Sequence, residues 1–139
     1  MTDMELRATI GRSWLAKAHD TLAEAAILLR ENKPVGCANR LYYAVFYAVS
    51  AVLACDGREY GRHSAVRAAL HRDYVNTGRV PEWCGEVYDE LFEDRQEGDY
   101  MPATSFTQED LSAMWERARS FVDEFARIAD PAGGHEGRS

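Results

Sequence analysis

Residues 41–55, from Leu41 to Cys55, form the most apolar run of the chain: fourteen of the fifteen are apolar when alanine and tyrosine are counted, and Ser50 is the exception. A run of this kind narrows the choice of fold. Crossing a membrane takes about 20 consecutive apolar residues, whereas this segment is shorter and carries Ser50 and three tyrosines. It therefore reads as a buried helix, and no membrane association is expected. Extended from about Val35 to Ala54 and closed by Asp56-Gly57, the helix is apolar around its whole circumference. A helix like that has to be surrounded, either by the rest of its own bundle or by a second copy of the chain.

The remaining segments supply helices to surround it. Leu6, Ile10, Trp14, Leu15, Ala18, Leu22, Ala25 and Leu29 recur at helical spacing and predict a long first helix over residues 4–31, broken by Asn32-Lys33-Pro34. Arg62-His63-Ser64 opens a shorter helix through Val66, Ala69, Leu70 and Tyr74, stopped by Asn76-Thr77-Gly78. Pro81 opens a fourth, with Trp83, Val87, Tyr88 and Leu91 as its apolar stripe. Thr107 followed three residues later by Asp110 resembles a capping box, and Leu111, Met114, Trp115, Ala118, Val122, Phe125 and Ile128 form the stripe of a last helix. No segment reads as a strand. The expected fold is all-α, an antiparallel bundle of about five helices in a single domain over residues 1–130, with residues 131–139 a disordered tail.

Composition excludes little beyond this. With 46% hydrophobic and 28% charged residues the chain is an ordinary globular one, and its net charge of -7 argues against a protein that simply coats nucleic acid. The charge is unevenly spread: residues 82–99 carry eight acids against Arg95 alone, while residues 58–74 carry four arginines and two histidines against Glu59 and Asp73. An acidic helix beside a basic one follows. Glu86, Asp89, Glu90 and Glu93 read as a solvated face, and His19 and His71 as surface residues. Cys37, Cys55 and Cys84 are odd in number and lack metal or redox spacing, which fits buried thiols and a reducing cytoplasm. No secretory signal is visible at the N-terminus. No metal site and no cofactor are expected.

The residue that asks for an explanation is Arg95. Tyr88, Leu91, Phe92 and Arg95 fall at i, i+3, i+4 and i+7, on one face of a helix, and burying a guanidinium there is costly unless a partner or ligand meets it. Gly98 supplies a residue tolerant of positive φ, so the helix is expected to stop there and to bring Asp99 and Tyr100 back beside Arg95. On the second helix, Arg40, Tyr43 and Tyr47 share one face and Tyr42, Phe46, Val49 and Leu53 another, with Asn39 at the same end. Tyr42 and Tyr47 read first as core aromatics, while Tyr43 serves equally as a core aromatic or as a polar interruption of an apolar helix. His63 stands near a helix N-terminus, where the dipole disfavours a protonated imidazole, and either packs there or reaches a site.

Taken in order, Asn39-Arg40-Leu41-Tyr42-Tyr43-Ala44-Val45-Phe46-Tyr47-Ala48, Gly61-Arg62-His63-Ser64-Ala65-Val66, Arg95-Gln96-Glu97-Gly98-Asp99-Tyr100 and the segment from Ala118 to Phe125 resemble the successive blocks of the HEPN-domain family. The likeness spans about residues 10–128. It implies a small helical bundle, a homodimer, and a toxin–antitoxin setting beside a minimal nucleotidyltransferase antitoxin. Many HEPN members are metal-independent endoribonucleases that use an arginine followed, after four to six residues, by a histidine. Here Arg95 is followed at that distance by Tyr100. In some relatives a tyrosine next to this motif accepts AMP from the partner enzyme, and Tyr100 resembles that acceptor, at a different position.

Metal-free RNA cleavage needs a group that takes the 2′-OH proton near neutral pH and a cation that meets the phosphate, roles suited to histidine and arginine. Tyrosine, with an unperturbed pKa of about 10, is a poor base. Two readings follow from the resemblance. One is an RNA-directed endoribonuclease with Arg95, Tyr100 and Asp99 as its catalytic set, with Arg40, Tyr43, His63 and Asn39 binding RNA or a nucleotide. The other is a non-enzymatic dimeric accessory module that binds a nucleotidyltransferase, a nucleotide or RNA. In the first, Tyr100 can only orient the phosphate or donate a proton, unless His63 reaches the same cleft from the third helix.

Overall fold

The computed structural model describes residues 1–100 and 106–129, of residues 97–100 the backbone alone. The described residues form five α-helices, α1 (Asp3–Arg30), α2 (Pro34–Cys55), α3 (His63–Ala69), α4 (Glu82–Tyr100) and α5 (Gln108–Ala129), and no strand occurs among them. The all-α bundle expected from periodicity is the fold observed. The expected tail, residues 131–139, lies outside the described residues.

Contacts at both ends of the helices fix their directions. Gly11 near the start of α1 lies against Ala51 and Cys55 at the end of α2, while Gly36 at the start of α2 lies against Leu28 at the end of α1. The two helices therefore run antiparallel. The connection is a tight reversal in which Asn32 takes a positive φ of 57° and the Lys33 amide donates back to the Leu28 carbonyl at 2.9 Å, an αL cap of the kind asparagine tolerates. Pro34 then occupies the first turn of α2, where its missing N–H costs nothing. The α5 indole Nε1–H of Trp115 donates to the Leu22 carbonyl at 3.0 Å, and the Cys55 thiol donates to the Ala129 carbonyl at 3.3 Å, so α5 runs alongside α2 and against α1. The capping box at its start is present: the Asp110 amide donates to Thr107 Oγ1 at 3.0 Å and the Thr107 amide to Asp110 Oδ2 at 3.3 Å.

As its composition requires, α2 is the centre of the bundle and touches every other helix. Its length and apolarity would suit a membrane span, yet Leu41, Tyr42, Ala44, Val45, Ala48, Val49, Ala51 and Val52 are all fully buried within the protein. Tyr74, Tyr88, Phe121 and Phe125 complete the core, Phe121 and Phe125 stacked with ring centroids 4.4 Å apart. All three cysteines are thiols, two of them buried. Burial pushes the Cys37 thiol up to about 11 and the Cys84 thiol up to about 12.

Four local expectations need correction. Gly98 does not stop α4, which continues to Tyr100; a glycine inside a helix costs only about 1 kcal/mol, too little to end it alone. Trp83 is 38% exposed, and Cys84, Val87, Tyr88 and Leu91 form the inward stripe, because a one-residue offset turns a side chain about 100° around the axis. The third helix widens after Ala69 into a π-helical segment, Leu70–Val75, in which the Asn76 amide reaches back five residues to the His71 carbonyl at 2.8 Å. The stripe of α1 is buried at Ala18, Leu22 and Ala25 but exposed at Leu6 and Ile10.

Candidate functional site

Three elements converge on one face of α2. From α2 come Tyr42, Tyr43 and Phe46, from the start of α3 comes His63, and from α4 come Tyr88, Phe92 and Arg95. Tyr42 is the hub: fully buried, it has the rings of Tyr43, Phe46, His63, Tyr88 and Phe92 around it, with centroids 5.2–6.0 Å away. Its hydroxyl lies 3.5 Å from that of Tyr88. Burial raises the Tyr42 pKa, so the phenol stays neutral.

Onto this aromatic floor the structure lays the arginine that α4 carries on its apolar stripe. The Arg95 guanidinium carbon lies 5.1 Å from the Tyr42 ring centre and 5.8 Å from that of Tyr43, and Nη1 donates a long hydrogen bond, 3.5 Å, to the Tyr43 hydroxyl. Aromatic faces attract a guanidinium by about 0.5–2 kcal/mol each, according to how far it is desolvated. Arg95 is half-buried, so its position on the apolar stripe is explained by rings that hold the cation while part of it still meets solvent.

His63 joins the same platform. Its ring lies 4.4 Å from Phe46 and 5.6 Å from both Tyr42 and Tyr43. Burial, and after it the positive charge of Arg95, hold the imidazole below the usual histidine range. A histidine shifted in this direction is neutral at pH 7 and able to accept a proton. From the start of the third helix, His63 thus shares the Tyr42 and Tyr43 rings with Arg95.

Arg40 and Asn39 flank the site on the other side of Tyr43. The Arg40 guanidinium carbon sits 5.0 Å from the Tyr43 ring centre, its Nε and Nη2 donate to Asn39 Oδ1 at 3.2 and 2.9 Å, and Nη1 is 3.6 Å from Glu24 Oε1. Of the expected site residues, then, Arg95, Tyr43, His63, Arg40 and Asn39 are brought together. The side chains of Asp99 and Tyr100 lie outside the described residues; their backbone continues the helix that carries Arg95.

Sequence reasoning missed the support beneath this site. Arg67 of α3 lies 4.4 Å from the Phe92 ring centre and donates through Nε to Asp89 Oδ1 at 2.8 Å, and the same oxygen is 2.9 Å from His71 Nε2. Burial alone would raise Asp89; the hydrogen bonds from His71 and Arg67 outweigh it and hold the carboxyl below its usual range. His71 is thus half-buried and paired rather than a surface residue, and the acidic face of α4 is partly an ion-paired one, with Glu90 bonded to Arg117 as well. The opposite charges of the two segments were the available signal; the particular pairs were not. Among the described residues no group of three or more His, Cys, Asp and Glu side chains is placed to share a metal ion.

A small all-α bundle is the architecture that the resemblance to HEPN domains implies. The HEPN domain family matches residues 12–128, and the chain belongs to that family. It is similar to a UPF0332 protein of Thermotoga maritima, 35% identical over 117 residues that cover 84% of this chain and 89% of that protein. It is also similar to MJ0605 of Methanocaldococcus jannaschii, named as a candidate toxin, at 26% identity over 110 residues, 79% of this chain and 81% of that one. Among solved structures, TT1696 from Thermus thermophilus superposes with a TM-score of 0.71 over 85% of this chain and 97% of its own, at 20% identity, a likeness of fold.

Proposed function

We propose that this HEPN-domain protein is the RNA-directed member of a toxin–antitoxin or nucleotidyltransferase-associated pair and acts as a weak metal-independent endoribonuclease. The observation that carries the reading is the placement of His63 and Arg95 on the same two tyrosine rings. Arg95 is positioned to meet a scissile phosphate, and the neutral imidazole of His63 to take the proton from the neighbouring 2′-OH, the role for which Tyr100 is a poor substitute. Arg40 and Asn39 then hold the strand beyond Tyr43, and Asp99 and Tyr100 orient the phosphate or return a proton to the leaving oxygen. The protein works as a cytoplasmic homodimer, in which two Arg95 residues gather positive charge that an acidic chain otherwise lacks. Sedimentation at micromolar concentration should read twice the 15.7 kDa of one chain.

The test is cleavage of a labelled oligoribonucleotide in the presence of chelator. Slow cleavage leaving 2′,3′-cyclic phosphate ends, abolished together with binding in Arg95→Ala, supports the proposal. Cleavage that needs added divalent metal, or that survives Arg95→Ala, overturns it. A second reading is favoured by Tyr100 standing where the motif histidine is expected: a non-enzymatic accessory dimer that binds RNA, a nucleotide or a nucleotidyltransferase antitoxin. Binding lost in Arg95→Ala, without cleavage by the native protein or by Tyr100→His, is the outcome that reading requires.

A further inference from the structure

On the other side of Phe46 lies a cleft of about 580 Å³ between the N-terminal half of α1, the C-terminal half of α2 and the loop that leads into α3. Its volume is in the range of small-ligand sites, roughly 300–1,000 Å³. We propose that this cleft is a base-binding subsite, taking one nucleobase and an adjoining phosphate of the RNA strand that passes the Arg95–His63 platform. The inference rests on the RNA-directed reading and adds where the strand is gripped.

The walls have the chemistry of a base pocket. Trp14, Phe46 and Tyr60 offer aromatic faces, and stacking on such faces is how single strands are held without regard to sequence. Trp14 is itself stacked on Tyr47 at 5.6 Å, with the Lys17 ammonium 4.6 Å from the Tyr47 ring centre, so aromatic and cationic groups continue along the outer edge of α2 toward Tyr43. Phe46 is the shared wall: it lines the cleft and lies 4.4 Å from His63. A nucleotide seated in the cleft is therefore next to the platform.

The rim supplies the charge. Arg7 and Arg58 both line the cleft. Arg58 is fixed by Asp73 and Tyr60, at 2.5 and 2.7 Å. Arg7 rests on the backbone of Gly57, where φ is +73° and a Cβ would stand 2.6 Å from the guanidinium carbon. Glycine at this position thus serves both the turn and the close approach of the cation. Two arginines above an aromatic floor match a phosphate joined to a planar base. Glu59, also on the rim, is an acceptor for an exocyclic amine, which favours adenine or cytosine over uracil.

The experiment uses uncleavable 2′-O-methyl hexa-adenylate, followed by anisotropy of a labelled strand and by the Trp14 indole N–H resonance of the full chain, assigned with Trp14→Phe. The strand should move that resonance, its abasic counterpart should leave it unmoved, and AMP should move it only at much higher concentration. Ile10→Trp, which fills the cleft from a position 42% exposed and therefore compatible with folding, should weaken the strand about tenfold. Arg95-dependent binding that leaves Trp14 unmoved and ignores Ile10→Trp overturns the subsite and spares the RNA-directed reading. AMP moving Trp14 with no strand bound identifies a free-nucleotide site and overturns both. No binding of either probe, or a Trp14 environment that changes only with protein concentration because a second copy covers the cleft, overturns the subsite.

Discussion

Where α2 meets α1 the contacts are made by small groups: Ala51 and Cys55 lie so close to Gly11 that a Cβ there would stand 2.5 Å from the Cys55 sulfur, and the Cys37 thiol donates to the Ala25 carbonyl. Where α2 meets α3 and α4 the contacts are made by Tyr42, Tyr43 and Phe46, and between their rings stand His63 and Arg95. The first interface is close-packed, and burial keeps its Cys37 thiol neutral at pH 7. The second is half-buried, holds a fixed cation by its aromatic faces, and keeps a titratable imidazole neutral beside it. One helix thus both anchors the bundle and carries the candidate chemistry.

The largest loss is expected in the fully buried core rather than at the site. Phe121 is fully buried and stacked on Phe125, so Phe121→Ala should cost about 3–5 kcal/mol in urea denaturation. A loss under 1 kcal/mol would mean that the buried aromatic core does not set stability. On the site side the losses should be smaller. Arg95→Ala removes cation–aromatic contacts at a half-buried position and should cost about 0.5–2 kcal/mol, while abolishing RNA binding. A loss as large as that of Phe121→Ala would make Arg95 a structural residue and undo the contrast.

The smallest effect is a dependence on pH. The folded protein binds the His63 proton more weakly than the unfolded chain does, so His63 should favour unfolding as the pH falls below the ordinary histidine value of about 6.5, and should contribute nothing of this kind above it. Asp56 and Asp89 are depressed carboxylates, the hydrogen bonds from Arg79 and Tyr74 to Asp56, and from His71 and Arg67 to Asp89, outweighing burial. Their stabilising effect is lost only on further acidification, below about pH 4. Between pH 7 and pH 5, His63→Gln should therefore flatten the stability curve; an unchanged slope would show that His63 is not the group responsible.

The same contrast governs what could be read in the sequence. The helices and the central place of α2 were legible because both follow from apolar spacing within short windows, and the start of α5 was legible because Thr107 and Asp110 cap it locally. Arg95 was legible as an anomaly on an apolar stripe. What it touches was not, since Tyr43 lies 52 residues away and His63 on a third element. Asp89 looked like one acid among many because Arg67 and His71 belong to another helix. Gly98 misled because a glycine's freedom permits a stop without imposing one, and Trp83 because a one-residue error in the stripe turns a side chain out of the core.

The central claim is that His63, held beside Arg95, does the work the motif histidine does elsewhere in the family. It is tested most directly by cleavage of a single oligoribonucleotide, in chelator at pH 7, by the native protein, His63→Gln and Tyr100→Phe. The account predicts slow cleavage by the native protein, a fall of about 10²- to 10⁴-fold in His63→Gln, and a smaller fall in Tyr100→Phe. Native-like cleavage by His63→Gln, or activity lost in Tyr100→Phe and kept in His63→Gln, would contradict it.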